Sequence, residues 1–158
     1  MDIIIVEAVV NDYLEVNRLV RQGHEEHVVG DCSVFKQVES VMPESYYDEL
    51  LTHEHSKIFL AKKEDLTVGF AVISIESSPP FPSLVPRKYA YIHDFGVDQL
   101  VKRQGIGSML FERCLQWAKE MDVTAVELNV WEFNEDAIAF YKGCGMETIN
   151  RKMRIAIN

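Results

Sequence analysis

The chain has 158 residues, 47% of them hydrophobic and 26% charged, with a formal net charge of -9 at pH 7; that length suits one domain with a real core. The acidic balance argues against nonspecific binding to nucleic acid or anionic lipid, which reward clustered lysine and arginine, and is compatible with a cationic substrate. No apolar run approaches the roughly 20 residues of a membrane span, the opening Met-Asp-Ile-Ile-Ile-Val lacks the basic start of a secretory signal, and Cys32, Cys114 and Cys144 are odd in number and far apart, so reduced thiols in the cytoplasm are expected.

Asp2 to Val9 reads as a strand, with Asn11 or Asp12 as the N-cap of a helix reaching about Val28. That helix sets Leu14, Val20 and Val28 against a polar face with His24, Glu25, Glu26 and His27. Gly30 to Pro43 is irregular. A short helix follows from about Glu44 to Thr52, bearing Tyr46, Tyr47, Leu50 and Leu51. Lys57 to Lys62 and Thr67 to Ile75 read as a hairpin of apolar strands around Lys63, Glu64 and Asp65. Ser77 to Pro86 holds all but one of the prolines and reads as a surface loop with Phe81 at its tip, because proline cannot donate to a sheet ladder.

Tyr91 to Val97 is rich in aromatic and β-branched residues and has strand length. Ile106, Leu110, Cys114 and Trp117 then recur at the three- and four-residue steps of one helix face. Val123 to Trp131 alternates as another strand. Asn134 caps a further short helix, with Glu135 and Asp136 in its first turn and Gly143 or Gly145 beyond its end. Ile149, Arg151, Met153, Ile155 and Ile157 have the alternation of a last strand. No internal repeat interrupts this order, so residues 1–158 read as a single α/β domain.

Between the Tyr91 strand and the following helix lies Lys102, Arg103, Gln104, Gly105, Ile106, Gly107 and Ser108. Glycine lets backbone approach a ligand without a Cβ in the way, and the first N–H groups of a helix are unpaired donors at the positive end of its dipole. Such a loop is an anion cradle suited to phosphate. It is neither of the two common nucleotide loops. The dinucleotide fingerprint needs a third glycine where Leu110 stands, and no Gly-Lys-Ser or Gly-Lys-Thr follows as a Walker loop requires.

Lys102 to Gly107 instead resembles the signature of the GNAT superfamily of N-acetyltransferases: Gln or Arg, two residues, Gly, one residue, then Gly or Ala, with lysine here in the first place. Val126 to Met146 resembles the same family's ending, a strand followed by Asn, a helix with Ala and Phe-Tyr, then Gly-Phe, with Met146 in place of Phe. The resemblance covers Ile58 to the C-terminus. It implies an α/β (α+β) fold with a mixed, mainly antiparallel sheet splayed at its centre and helices on both faces. It also implies transfer of an acetyl group from acetyl-CoA to a primary amine by direct attack in a ternary complex, and a homodimer. The two helices before Thr52 would wall one side of the acceptor site.

On this resemblance Phe95, Gly96 and Val97 supply backbone groups to the pantetheine arm, and Lys102 to Ser108 hold the pyrophosphate. Asn134, Ala137 and Tyr141 lie along the cofactor, and Tyr141 is the general acid for the leaving thiolate. The attacking amine, with a pKa near 10.4 in water, needs a base. His93 and Asp94 are the candidates. Strand alternation sends them to opposite faces, so only one can face the acceptor. His93 is preferred for its unperturbed pKa of about 6.5, the alternative being a structural Asp94 and a partly buried His93. A noncatalytic acetyl-CoA sensor, or transfer of a longer acyl group, would share these motifs. The pairs His24 with His27 and His53 with His55 lack a metal-site pattern, so no metal is expected. Glu25 and Glu26 could attract a cationic acceptor, and Arg151 and Lys152 could meet an acidic group or solubilise a strand edge.

Overall fold

Ile58 to Ala61 and Val68 to Ile73 are continuous runs without a polar side chain at the centres of Ser56–Lys63 and Leu66–Ser77, and such runs are stable as strands covered on both faces. The computed structural model, which describes residues 2–158, shows that cover. These segments form β2 and β3 of a sheet whose order is β1-β2-β3-β4-β5, with β1 at Ile3–Glu7, β4 at Lys88–Val97 and β5 at Val126–Leu128. The first four strands pair antiparallel and β5 joins β4 in parallel. The helices are α1 at Tyr13–Gly30, α2 at Glu44–Thr52, α3 at Ile106–Glu120 and α4 at Glu135–Gly143.

Strand alternation divides the core in two. Phe59, Ala61, Ala71, Ile73, Ala90 and Ile92 turn to one face, where Ile106, Leu110, Cys114 and Trp117 of α3 cover them. Ile58, Leu60, Phe70 and Val72 turn to the other, under Val16, Leu19 and Val20 of α1 and Tyr47 and Leu50 of α2. Burial of each large side chain in these layers contributes about 1.5–3 kcal/mol. Tyr47 is wholly buried because its hydroxyl has a partner, donating to the Val9 carbonyl at 2.6 Å. The expected sheet, mixed and mainly antiparallel with helices on both faces, is the one observed.

Three boundaries differ from the expectations. Asp12 does not cap α1 with its side chain. It accepts from the Val9 N–H at 2.9 Å and pairs with Lys62 at 2.9 Å, and Val10–Asp12 is a 3-10 turn ahead of the helix. The strand expected over Val123 to Trp131 shrinks to Val126–Leu128, because β4 offers it only Ala90, Tyr91 and Ile92 as partners. The strand expected from Ile149 to Ile157 does not form. All of residues 147–158 are exposed and have no ladder partner, so the splay lies between β4 and β5 beside the sheet edge.

One irregularity sets up everything that follows. Along β4, Asp94 faces Val72 but Ile92 faces Ile73, so His93 is an extra residue with no partner on β3. Such a bulge bends its strand and reverses the side-chain parity beyond it.

Candidate functional site

Ladder pairing of β4 with β5 stops at Ile92 and Leu128. Before the bulge the Ala90 N–H points to that side, donating to the Ala125 carbonyl at 2.9 Å, whereas after it the Asp98 N–H points the other way, to Val68 at 2.8 Å. By the two-residue period Gly96 shares the orientation of Asp98, while Phe95 and Val97 turn their main-chain groups to the open edge. Gly96 therefore serves packing: a Cβ there would come within 2.9 Å of the Phe70 ring. The open edge floors a cleft of about 710 Å³, within the range of small-molecule sites.

The cleft is walled by Leu19, Gln22, Glu26 and His27 of α1, by the loop after β4 and the start of α3, and by Asn134, Ala137, Phe140 and Tyr141 at α4. The first intrahelical bond of α3 runs from the Met109 N–H to the Gly105 carbonyl at 3.1 Å. The N–H groups of Ile106, Gly107 and Ser108 thus have no helical partner and sit in the cleft lining. Gly105 adopts φ 78°, a left-handed conformation that glycine takes without strain. Gly107 lacks a Cβ for a second reason, since one there would lie 3.1 Å from the Phe140 ring.

This loop is anchored from below. Asp98 is buried, caps the 3-10 turn Gln99–Val101 by accepting from the Leu100 N–H at 3.1 Å, and pairs with Arg18 of α1 at 2.9 Å. Burial pushes its carboxyl pKa up, but the bonds from Leu100, Arg18 and Gln22 outweigh that and hold it below the usual range. From α1, Gln22 also accepts from the Gln99 N–H at 3.1 Å, and Glu26 accepts from the Gln99 side chain at 2.9 Å and lies 3.8 Å from Lys102.

Two ionisable groups line the cleft. Burial pushes the Asp94 carboxyl up to about 6, with the Phe95 N–H, donating at 3.0 Å, pulling the other way. Burial also drives the Tyr141 hydroxyl far above its ordinary value, and the Asp94 charge adds to that shift. Tyr46 of α2 is raised by the same two causes in the same order. Asp94 is thus poised to take or give a proton near neutrality, and Tyr141 is protonated in the resting site.

His93 lies outside the cleft lining. Its Nε2 is 2.6 Å from Ser74 Oγ and 3.5 Å from Glu76, and its ring packs edge-on against Tyr91. The bulge, invisible in a simple alternation, is why Asp94 and not His93 enters the cleft. Gln104 also stays out, accepting from Lys63 at 3.3 Å. The other predicted site residues, Asp94 to Val97, Lys102, Arg103, Gly105 to Ser108, Asn134, Ala137 and Tyr141, all line it. Asn134 caps α4, its Oδ1 accepting from the Ala137 N–H at 3.2 Å. Of Gln22, Glu26 and Tyr46, the sequence reading gave a role only to Glu26, as a group that could attract a cationic acceptor, and missed the other two. Gln22 and Glu26 lie four residues apart, with Arg18 four before Gln22, a polar stripe along one side of α1 that the helical period would have revealed. Among the described residues no three His, Cys, Asp or Glu side chains cluster as a metal site, and no helix is long and apolar enough to cross a membrane.

Comparison with known proteins gives this geometry its context. The sequence model of the acetyltransferase (GNAT) family matches residues 25–146. A solved mutant form of the BH1408 protein from Bacillus halodurans is 34% identical, with a TM-score of 0.95 over 98% of this chain and 99% of that one. An aminoglycoside N-acetyltransferase solved in complex with CoA shares the fold at 14% identity, with a TM-score of 0.73 over 98% of this chain and 99% of that one. An uncharacterized N-acetyltransferase of Methanocaldococcus jannaschii is 29% identical over 65% of this chain. The chain spans 44% of that relative's length and less than half of the other curated relatives it matches.

Proposed function

The chain belongs to the acetyltransferase (GNAT) family, and from that premise we propose that it moves an acetyl group from acetyl-CoA to a primary amine within a ternary complex. The observation that carries this reading is the open edge of β4, running from the unpaired N–H groups of Ile106, Gly107 and Ser108 to the Asp94 and Tyr141 pair. The residues present fit CoA. Three backbone donors at a helix N-terminus, with Lys102 and Arg103 beside them, suit a pyrophosphate, and the exposed main-chain groups of Phe95 and Val97 suit the amides of a pantetheine arm. CoA is also what the fold's aminoglycoside-acetylating neighbour holds.

In this mechanism the amine arrives as its ammonium ion, passes one proton to the Asp94 carboxylate and attacks the thioester carbonyl carbon; a C–N bond forms and the nitrogen becomes cationic. The C–S bond then breaks, the departing sulfur takes the proton of the Tyr141 hydroxyl, and the nitrogen gives up its second proton to the Tyr141 oxygen through water, leaving a neutral amide. Negative charge that develops on the carbonyl oxygen meets backbone N–H groups of the β4 edge. Protonated Asp94 returns to its resting state by giving its proton to solvent. Asp94 therefore replaces His93 as the proposed base. An exposed, unpaired Cys32 fits a reducing compartment such as the cytoplasm.

Isothermal titration with acetyl-CoA, followed by an amine panel scored for released thiol, tests the reading. Binding together with thiol release by at least one amine class is expected. Folded protein that fails to bind acetyl-CoA would overturn it, and binding with no turnover across the panel would favour a sensor instead.

A further inference from the structure

The sheet face under α1 and α2 changes character beyond Val72. Along β3 that is the last residue those helices bury, and Asp94 stands opposite it on β4. Past this pair the face carries Ser74 and Glu76 of β3, Tyr89 and Tyr91 of β4, and Glu127 of β5 with Asn129 just beyond it. Their neighbours Ile73, Ile75, Ala90, Ile92, Val126 and Leu128 turn instead to the α3 layer. Ser74 faces Tyr91, and Tyr91 faces Glu127, so the polar side chains align across three strands. None of the six is fully buried. The result is a shelf open to solvent that begins at the Asp94 carboxyl.

The shelf is ordered. Ser74 Oγ donates to Glu76 Oε1 at 2.9 Å and lies 2.6 Å from His93 Nε2, and the His93 ring packs on Tyr91. Asn129 donates to the Tyr91 hydroxyl at 2.7 Å. His93, the extra residue of the bulge, thus fixes Ser74, which draws the Glu76 carboxylate back along the strand. One cation already sits here: the Arg87 guanidinium lies 4.4 Å from the Tyr89 ring centroid and pairs with Glu127 at 2.7 Å. A carboxylate beside a tyrosine face is what a desolvated cation needs. Glu76 and Tyr91 repeat that combination, but among the described residues Glu76 has no lysine or arginine partner, only His93 at 3.5 Å. Ser74 stands two residues along β3 from Val72, a rise of roughly 7 Å, which puts the Glu76 carboxylate roughly 7–10 Å from the Asp94 end.

We propose that this shelf binds the acceptor and selects a primary amine carrying a second positive charge, the reacting nitrogen at Asp94 and the second cation at Glu76 beside the Tyr91 ring. The inference rests on the acetyltransferase reading of the cleft and names the acceptor class for it. A saturated chain of about four to six carbons between two nitrogens spans the gap.

Thiol release from acetyl-CoA by the full chain tests this, with α,ω-diamines of graded length beside the same chains whose far nitrogen is replaced by a methyl or hydroxyl group. The best diamine is expected to exceed its monoamine counterparts about tenfold in kcat/KM, mainly through KM, with the preference shrinking in about 1 M salt. Glu76→Gln keeps the size of a partly exposed side chain, and a melting curve checks the fold. It is expected to bring diamine and monoamine within about threefold of each other. Diamines no better than monoamines, or a preference that survives both Glu76→Gln and high salt, would overturn the proposal and leave acetyl transfer standing. Acetyl-CoA binding without thiol release from any amine would overturn the reading beneath it, and the proposal with it.

Discussion

Replacing Asp94 with asparagine separates what the carboxylate does for catalysis from what it costs the fold. A carboxyl raised from 3.8 to about 6 by burial binds its proton more tightly folded than unfolded. Its contribution to stability is therefore fully present below pH 3.8 and is lost as pH rises through about 6. At 1.36 kcal/mol per unit, the buried carboxylate destabilises the fold by about 3 kcal/mol at pH 8. Asparagine keeps the size and removes the charge, so the variant is expected to gain stability relative to wild type between pH 4 and pH 8. For a chain of this length that difference reads as on the order of 5–10 °C in the relative Tm. Activity should move the other way. A lost general base costs about 10²–10⁴ in kcat, and the wild-type rate, rising with pH to a plateau above about 6, should become low and flat. Melting curves at the two pH values and a kcat/KM profile from pH 5 to 9 measure both halves. An acid limb near pH 6 that survives in the Asp94→Asn protein would show that another group is the base. Relative stability that does not change with pH would show that Asp94 is not held in a desolvated site.

Tyr141→Phe should lower kcat at least about tenfold while leaving the CoA dissociation constant within a factor of a few; an unchanged rate, read by thiol release, removes the acid role. Gly105→Ala places a Cβ at φ 78° and should cost about 1–2 kcal/mol by denaturant titration. Gly143→Ala, on α4 with nothing within 4 Å of the added carbon, should stabilise by about 0.4–1 kcal/mol; equal effects at the two sites would contradict the backbone geometry. Asp98→Ala leaves Arg18 and the Leu100 N–H without their partner and should cost about 1–3 kcal/mol at pH 7. Because the Asp98 carboxyl is held below its usual value, that penalty should shrink as pH falls through its folded pKa; a penalty that persists in acid would point to lost packing instead.

Periodicity and local chemistry carry most of the fold. The three- and four-residue recurrence of Ile106, Leu110, Cys114 and Trp117 marks α3, and the apolar runs of β2 and β3 mark the central strands, because each pattern depends only on the residue's own helix or strand geometry. The anion cradle is equally local, resting on Gly105, Gly107 and the unpaired donors of one helix end. The choice between His93 and Asp94 is not local. It turns on a single extra residue in β4 measured against Val72 and Ile73 of β3, and register between strands exists only once they pair. The desolvation that lifts Asp94 to about 6 likewise comes from residues remote in sequence, closing around it only in the folded chain. At the C-terminal end, alternation from Ile149 to Ile157 determines the capacity to be a strand, but a strand needs a neighbour to accept its hydrogen bonds. Only the tertiary structure shows that the body of this chain offers that segment none.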